Sequence, residues 1–177
     1  MRRIATLSLL LGLGACAMPE ETPPAAAPAS VVQRTPEQVA SRLPEQLNEF
    51  RRGNRVQMRS GTGIEYPYAT SGRRIAGQVQ IRPGTPGTSP ETELGAMATE
   101  AATNPQYRRL REASRETIAG MSCMLLAGNF SRTPVESLAC AGVFDGQVVR
   151  MRLTMSRAAG RMDEAKQFAE GLAAALR

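Results

Sequence analysis

The sequence predicts an α+β domain, an antiparallel β-sheet with helices packed against it. Three observations carry this. The apolar spacing runs helical, then period two, then helical, then strand-like, and ends helical. Asp145-Gly146, set between two apolar runs, is the strongest hairpin signal in the chain, because a type I′ turn needs positive φ at both central residues. Met121–Ala127 is an unbroken apolar run of strand length, as suits a central strand covered on both faces.

The elements follow in order. Thr35-Pro36-Glu37-Gln38 opens a helix: Thr35 can cap, Pro36 suits the first position, and Gln38 completes a capping box. Val39, Leu43, Leu47 and Phe50 share one helical face up to Gly53, with Pro44 expected to kink or restart the helix. Arg55–Arg59 and Ile64–Thr70 are candidate strands. Pro67 cannot donate to a ladder, which predicts an edge position for the second. After the turn at Ser71-Gly72, Arg73–Arg82 reads as a strand with Ile75, Gly77, Val79 and Ile81 facing in.

Residues 83–88 read as a loop. Ser89-Pro90-Glu91 starts a second helix, with Glu91 and Glu93 placed for its dipole and Leu94, Met97, Ala98 and Ala101 on its apolar side. Beyond Asn104-Pro105, the residues Tyr107, Leu110, Ser114 and Ile118 suggest a third helix with a poorer stripe. Met121–Ala127, a loop over Gly128–Val135, Glu136–Phe144 and Gln147–Ser156 complete the strands. A last helix begins near Met162, with Ala165, Phe168, Ala169, Leu172 and Leu176 as its stripe and only Gly171 against it.

A two-residue turn at Asp145-Gly146 pairs Phe144 with Gln147. Leu138, Cys140 and Gly142 then oppose Leu153, Met151 and Val149 on a wholly apolar face, so the register is self-consistent. If Cys123 opposes Cys140 on the neighbouring strand, Ala127 opposes Glu136. Such a pair is close enough to bridge. The competing readings are two reduced core cysteines or a redox pair, and neither a Cys-x-x-Cys motif nor a neighbouring His supports the last.

Composition excludes much chemistry. No histidine occurs among the 177 residues, which removes Ser-His-Asp and Cys-His nucleophile systems and His-ligated metal sites. No phosphate-binding Gly-rich motif is present. No cofactor and no metal is expected, and an enzyme is not. The charge of +6 aids solubility without pointing to nucleic acid, and no Trp offers a stacking platform. Lys166 is the only lysine; the other basic residues are arginines. The methionines read as core filler.

The N-terminus says most about location. Met1-Arg2-Arg3 is followed by an apolar run, Ile4 to Leu13, far below the ~20 residues of a membrane span. It ends in Leu13-Gly14-Ala15-Cys16. This arrangement resembles the lipobox of bacterial lipoproteins. The resemblance implies cleavage before Cys16, a diacylglycerol on its thiol and an acyl chain on its new amine. The alternative is a plain secretory signal with an incidental Cys. Ala17, rather than Asp, implies by the same analogy the periplasmic face of the outer membrane over the inner membrane.

The expected organisation is therefore a signal peptide over 1–15, a lipidated Cys and tether over 16–34, and an α+β domain over 35–177. Pro19, Pro23, Pro24, Pro28 and the alanines between them make an extended tether of up to ~50 Å. Loss of Arg2 and Arg3 brings the mature charge to about +4. The element order resembles the PsbP-like layout, and Gln147–Ser156 with its following helix is similar to segments of uncharacterised proteobacterial periplasmic proteins. The first likeness implies a fold and no activity.

Arg74, Arg82, Arg150 and Arg152 could share a sheet face and contact an anionic surface. The plainer reading is a solvated face whose arginine stems cover apolar surface. The function these features lead us to expect is a membrane-anchored, non-enzymatic assembly or interaction module with an envelope-protein or cell-wall partner. The alternative is a small-ligand-binding periplasmic lipoprotein.

Overall fold

In the computed structural model, residues 33–58, 62–105 and 107–177 are described. The lipobox, Cys16 and the tether up to residue 32 lie outside them, as does Arg59 at the end of the predicted first strand.

Helix α1 (Pro36–Ala40) has the capping box that the sequence suggests, with the Gln38 amide N–H on Thr35 Oγ1 and the Thr35 N–H on Gln38 Oε1. It ends much earlier than the apolar stripe implies. Pro44 cannot continue the helix, and the chain turns instead into two short strands, β1 (Gln46–Leu47) and β2 (Phe50–Arg52). Val39, Leu43 and Phe50 are nevertheless all buried in one cluster, so the stripe marks core residues on two kinds of element.

The remaining elements are β3 (Val56–Gln57), β4 (Ile64–Thr70), β5 (Ile75–Pro83), α2 (Pro90–Thr103), β6 (Tyr107–Ile118), β7 (Met121–Phe130), β8 (Thr133–Phe144), β9 (Gln147–Ser156) and α3 (Met162–Leu176). Among the described residues nine strands form one antiparallel sheet in the order β1-β2-β4-β5-β9-β8-β7-β6, with β3 also on β4. Helices α1 and α3 cover one face, where Phe168 meets Phe50 and Tyr68 with ring centroids 4.6 and 5.0 Å away. Helix α2 crosses the other face over β6, β7 and β8, burying Leu94, Met97 and Ala101 against Leu110, Met124, Leu126 and Ala139.

Two further expectations are corrected. Residues 107–118 form the edge strand β6, not a helix. Its pairing with β7 slips twice, between Arg108 and Arg111 and between Glu112 and Ser114, and each bulge adds one residue to β6. The period-two pattern is lost at both. The predicted loop 128–135 is instead a tight connection, because β7 and β8 pair out to Phe130 and Thr133, with Ser131 left-handed at φ 54°.

Strand β4 is interior rather than at an edge, yet Pro67 costs no ladder bond. Its carbonyl accepts from the Gly53 N–H, so its nitrogen also points to that side. There it falls in the gap between the pairings of β2 (to Tyr68) and β3 (to Glu65).

The β8–β9 register agrees with the sequence argument throughout, from Phe144↔Gln147 to Leu138↔Leu153. Asp145 and Gly146 have φ of 48° and 79°, as a type I′ turn requires. Glycine is also needed at Gly77, where a Cβ would stand 1.8 Å from the Arg152 carbonyl oxygen.

Candidate interaction surface

Cys123 and Cys140 are directly opposed on β7 and β8 and form a disulfide, S–S 2.11 Å, with Cα atoms 4.1 Å apart. Both are buried on the face beneath α3. A thiolate must reach a disulfide sulfur for exchange to occur, so the core packing protects the bridge.

The four arginines singled out from sequence do not make one open patch. Register places Gln78, Gln80 and Arg82 of β5 and Arg150 and Arg152 of β9 on the α2 face. Helix α2 presents an acidic flank to them. Arg82 pairs with Glu93. Arg150, only 3% exposed, donates to Glu100 at 2.6 Å and lies 3.8 Å from Glu93. Arg152 is half-buried, and Arg74 is exposed at the β4–β5 connection. The space between Gln78, Gln80, Met97 and Arg150 is about 30 Å³, too small for an organic ligand.

A larger feature lies further along the same face, where no helix among the described residues covers β2, β4 and β5. Here Arg51 pairs with Ala69, and Ala69 with Ala76, in one row across the sheet. With Pro67 these small residues floor an open concavity of about 820 Å³, whose rim includes Glu49, Arg51, Ser71 and Arg73. Glu49 is engaged by Arg161 at 2.8 Å. Arg52 stacks over Tyr66, 4.9 Å from the ring centroid, and reaches the Leu43 carbonyl. Arg51 and Arg73 are exposed and, among the described residues, have no ion-pair partner.

The Arg73 loop is fixed locally. Thr70 is buried, and its Oγ1 accepts from the Ile75 N–H at 3.1 Å, tying the two ends of the connection together. Arg73 itself sits in the left-handed region at φ 52°, unusual for a residue with a Cβ.

Elsewhere the electrostatics serve the fold. Hydrogen bonding from Ser122 holds the Glu91 carboxyl below the usual range, at the first turn of α2. The Arg115 guanidinium does the same for Glu112. Burial pushes the Tyr68 phenol up to about 12, and its hydroxyl donates to the Pro44 carbonyl at 2.7 Å. Among the described residues no group of three or more His, Cys, Asp or Glu is placed to hold a metal ion, and no helix is long and apolar enough to cross a membrane.

The first described residues are held at the opposite end of the sheet. Asp145 Oδ2 accepts from Arg34 at 2.9 Å and pairs with Arg42 at 2.8 Å. The Arg34 N–H donates to the Asp145 carbonyl at 3.1 Å, and Gln147 donates to the Arg34 carbonyl at 2.5 Å. Sequence reading takes Asp145 only as a turn residue; partners 111 positions away leave no local signal. Strand β9 runs from this clamp at Gln147 to the level of the concavity at Thr154, about 23 Å at ~3.3 Å per residue.

No family model and no curated protein matches the chain. Among solved structures, LpqN, described as involved in cell envelope biogenesis of Mycobacterium tuberculosis, is similar at 16% identity. The likeness covers 71% of this chain and 78% of that one, with a TM-score of 0.42. A resemblance that distant carries nothing about function.

Proposed function

We propose that this protein is a bacterial envelope lipoprotein, anchored through Cys16 and acting as a non-enzymatic interaction module. The lipobox-like run Leu13-Gly14-Ala15-Cys16 motivates the anchor, and Ala17 favours the periplasmic face of the outer membrane. Acyl chains contribute about 0.8 kcal/mol per buried methylene, and several together hold a protein on a membrane durably. The observation that carries the module reading is the separation of two features along β9. The chain enters the domain clamped at Asp145, and the uncovered concavity opens at the other end of the sheet. A domain tethered by the first feature has the second free for a partner.

The experiment is an intact mass measurement on protein extracted from its own membranes. The expected mass is that of residues 16–177 plus a diacylglycerol and one acyl group, less two hydrogens for the disulfide. A bare chain would sink the anchor. Cys16→Ser should move the protein from the membrane to the soluble fraction, and unchanged tight membrane association would refute lipidation.

A second reading, a small-ligand-binding lipoprotein, draws on the concavity volume, which lies in the range of ligand sites. A non-covalent small-molecule adduct surviving native ionisation would favour it over the protein-partner reading.

A further inference from the structure

We infer that the concavity on β2, β4 and β5 docks an extended, carboxylate-bearing polypeptide segment of a partner protein, with Arg51 and Arg73 as its anion contacts. This rests on the interaction-module reading and names the partner chemistry of the same surface.

Charge carries the first part of the argument. Most arginines around the two faces already hold a carboxylate: Arg34 and Arg42 share Asp145, Arg82 holds Glu93, Arg150 holds Glu100, and Arg161 holds Glu49. Arg51 and Arg73, like Arg74, Arg111 and Arg132, are exposed guanidinium groups without an ion pair among the described residues, and of these they are the two that line the concavity. Planar guanidinium forks match carboxylates bidentately, and such charge-assisted bonds are the stronger class. Glu49 on the same rim does not cancel them, because Arg161 engages it.

Shape carries the second. Pro67, Ala69 and Ala76 keep the floor low across two adjacent strands. A low, open floor between cationic rims admits an extended chain lying across it. The Thr70–Ile75 hydrogen bond fixes the loop that bears Arg73, so little ordering entropy is lost there on binding.

The test is fluorescence anisotropy of a labelled Glu-rich peptide titrated with the full mature protein in detergent at low salt. Arg51→Gln with Arg73→Gln should weaken binding at least about tenfold through loss of two charge-assisted contacts. Arg111→Gln with Arg132→Gln removes the same charge from exposed sites elsewhere and should change affinity less than about twofold, the size of a general field effect. Matching thermal melts establish that all variants are folded. Equal loss in both double variants, or no peptide binding by the parent, would overturn the proposal. So would vesicles of anionic phospholipid that depend on Arg51 and Arg73 while the peptide does not; the surface would then read lipid phosphate. Failure of the anchor is a separate result, since an unlipidated chain that still binds the peptide through Arg51 and Arg73 would leave this docking site standing.

Discussion

Cys123 on β7 faces Cys140 on β8 across a directly paired position, and the bond between them closes a loop with a sequence separation of 17. A closure of that length stabilises by about 3 kcal/mol on the chain-entropy model. Replacing both cysteines with alanine should lower the melting temperature by several degrees under oxidising conditions. Reductant should lower the parent to a similar value and leave the double variant unmoved. An unchanged melting temperature in the variant would show that the bridge contributes nothing.

Tyr68 gives the domain an alkaline limit. Its phenol titrates near 12 when folded and near 10 when unfolded, so the folded state keeps a proton the unfolded state has lost. The contribution is therefore complete below pH ~10 and falls away as pH rises towards ~12, by on the order of 2 kcal/mol. Urea midpoints measured across that range should fall more steeply for the parent than for Tyr68→Phe. Parallel slopes would remove Tyr68 as the cause.

Two glycines should respond very differently to alanine. At Gly77 the added carbon meets the Arg152 carbonyl oxygen and the Leu153 Cα at 1.8 and 2.8 Å, and backbone cannot step aside without parting β5 from β9. Gly77→Ala should cost several kcal/mol, at or above the usual overpacking range, and be seen as loss of soluble protein. At Gly171 the nearest atom is Leu47 Cδ1 at 2.7 Å, the end of a flexible side chain. Gly171→Ala gains about 1 kcal/mol of helix propensity against that crowding. Its melting point should stay within a few degrees of the parent.

Arg150 is a buried cation held by α2. Removing it as Arg150→Ala should cost about 2–5 kcal/mol, mainly through the cavity left where its buried stem packs. Glu100→Gln should cost under about 1 kcal/mol, because the Glu100 side chain is 59% exposed. Chemical denaturation of the two variants side by side checks this, and similar losses would show that the helix flank matters more than the cation.

Asp145→Asn keeps a residue suited to the type I′ turn and removes only the carboxylate that Arg34 and Arg42 share. The turn should survive while the first described residues loosen. Trypsin should then cleave after Arg34 several-fold faster, with the melting temperature changed by only a few degrees. Equal cleavage rates would show that the backbone bonds to Asp145 and Gln147 suffice to hold the segment.

Much of the fold is legible because two kinds of signal agree. In β8 and β9 the apolar alternation and the Asp145-Gly146 turn fix the same register, and Cys140 then locates Cys123. Strand β6 hides because each bulge shifts the alternation by one, so Leu110 and Ile118, an even eight residues apart, are buried on opposite faces of the sheet and no period-two stripe survives. The Ala119–Gly120 turn that ends it has φ of 45° and 79°, and alanine masks that conformation. The concavity is invisible for another reason. Arg51, Ala69, Ala76 and Arg73 acquire a common surface only through the order of strands in the sheet, and nothing local in the sequence states that order.

The charged, twice-bulged strand β6 bears on what the proposed membrane anchor would do. The proposed acyl anchor would confine copies to two dimensions and raise the rate at which they meet. A flat twelve-residue margin of free backbone would turn such encounters into polymer growth, each copy extending the last. Exposed Arg111, Glu112, Arg115 and Glu116, set on a backbone that kinks twice, make β6 a poor template for a neighbour. On the proposed anchor, crowding would then raise the local concentration offered to the proposed docking partner without seeding fibres of the protein itself.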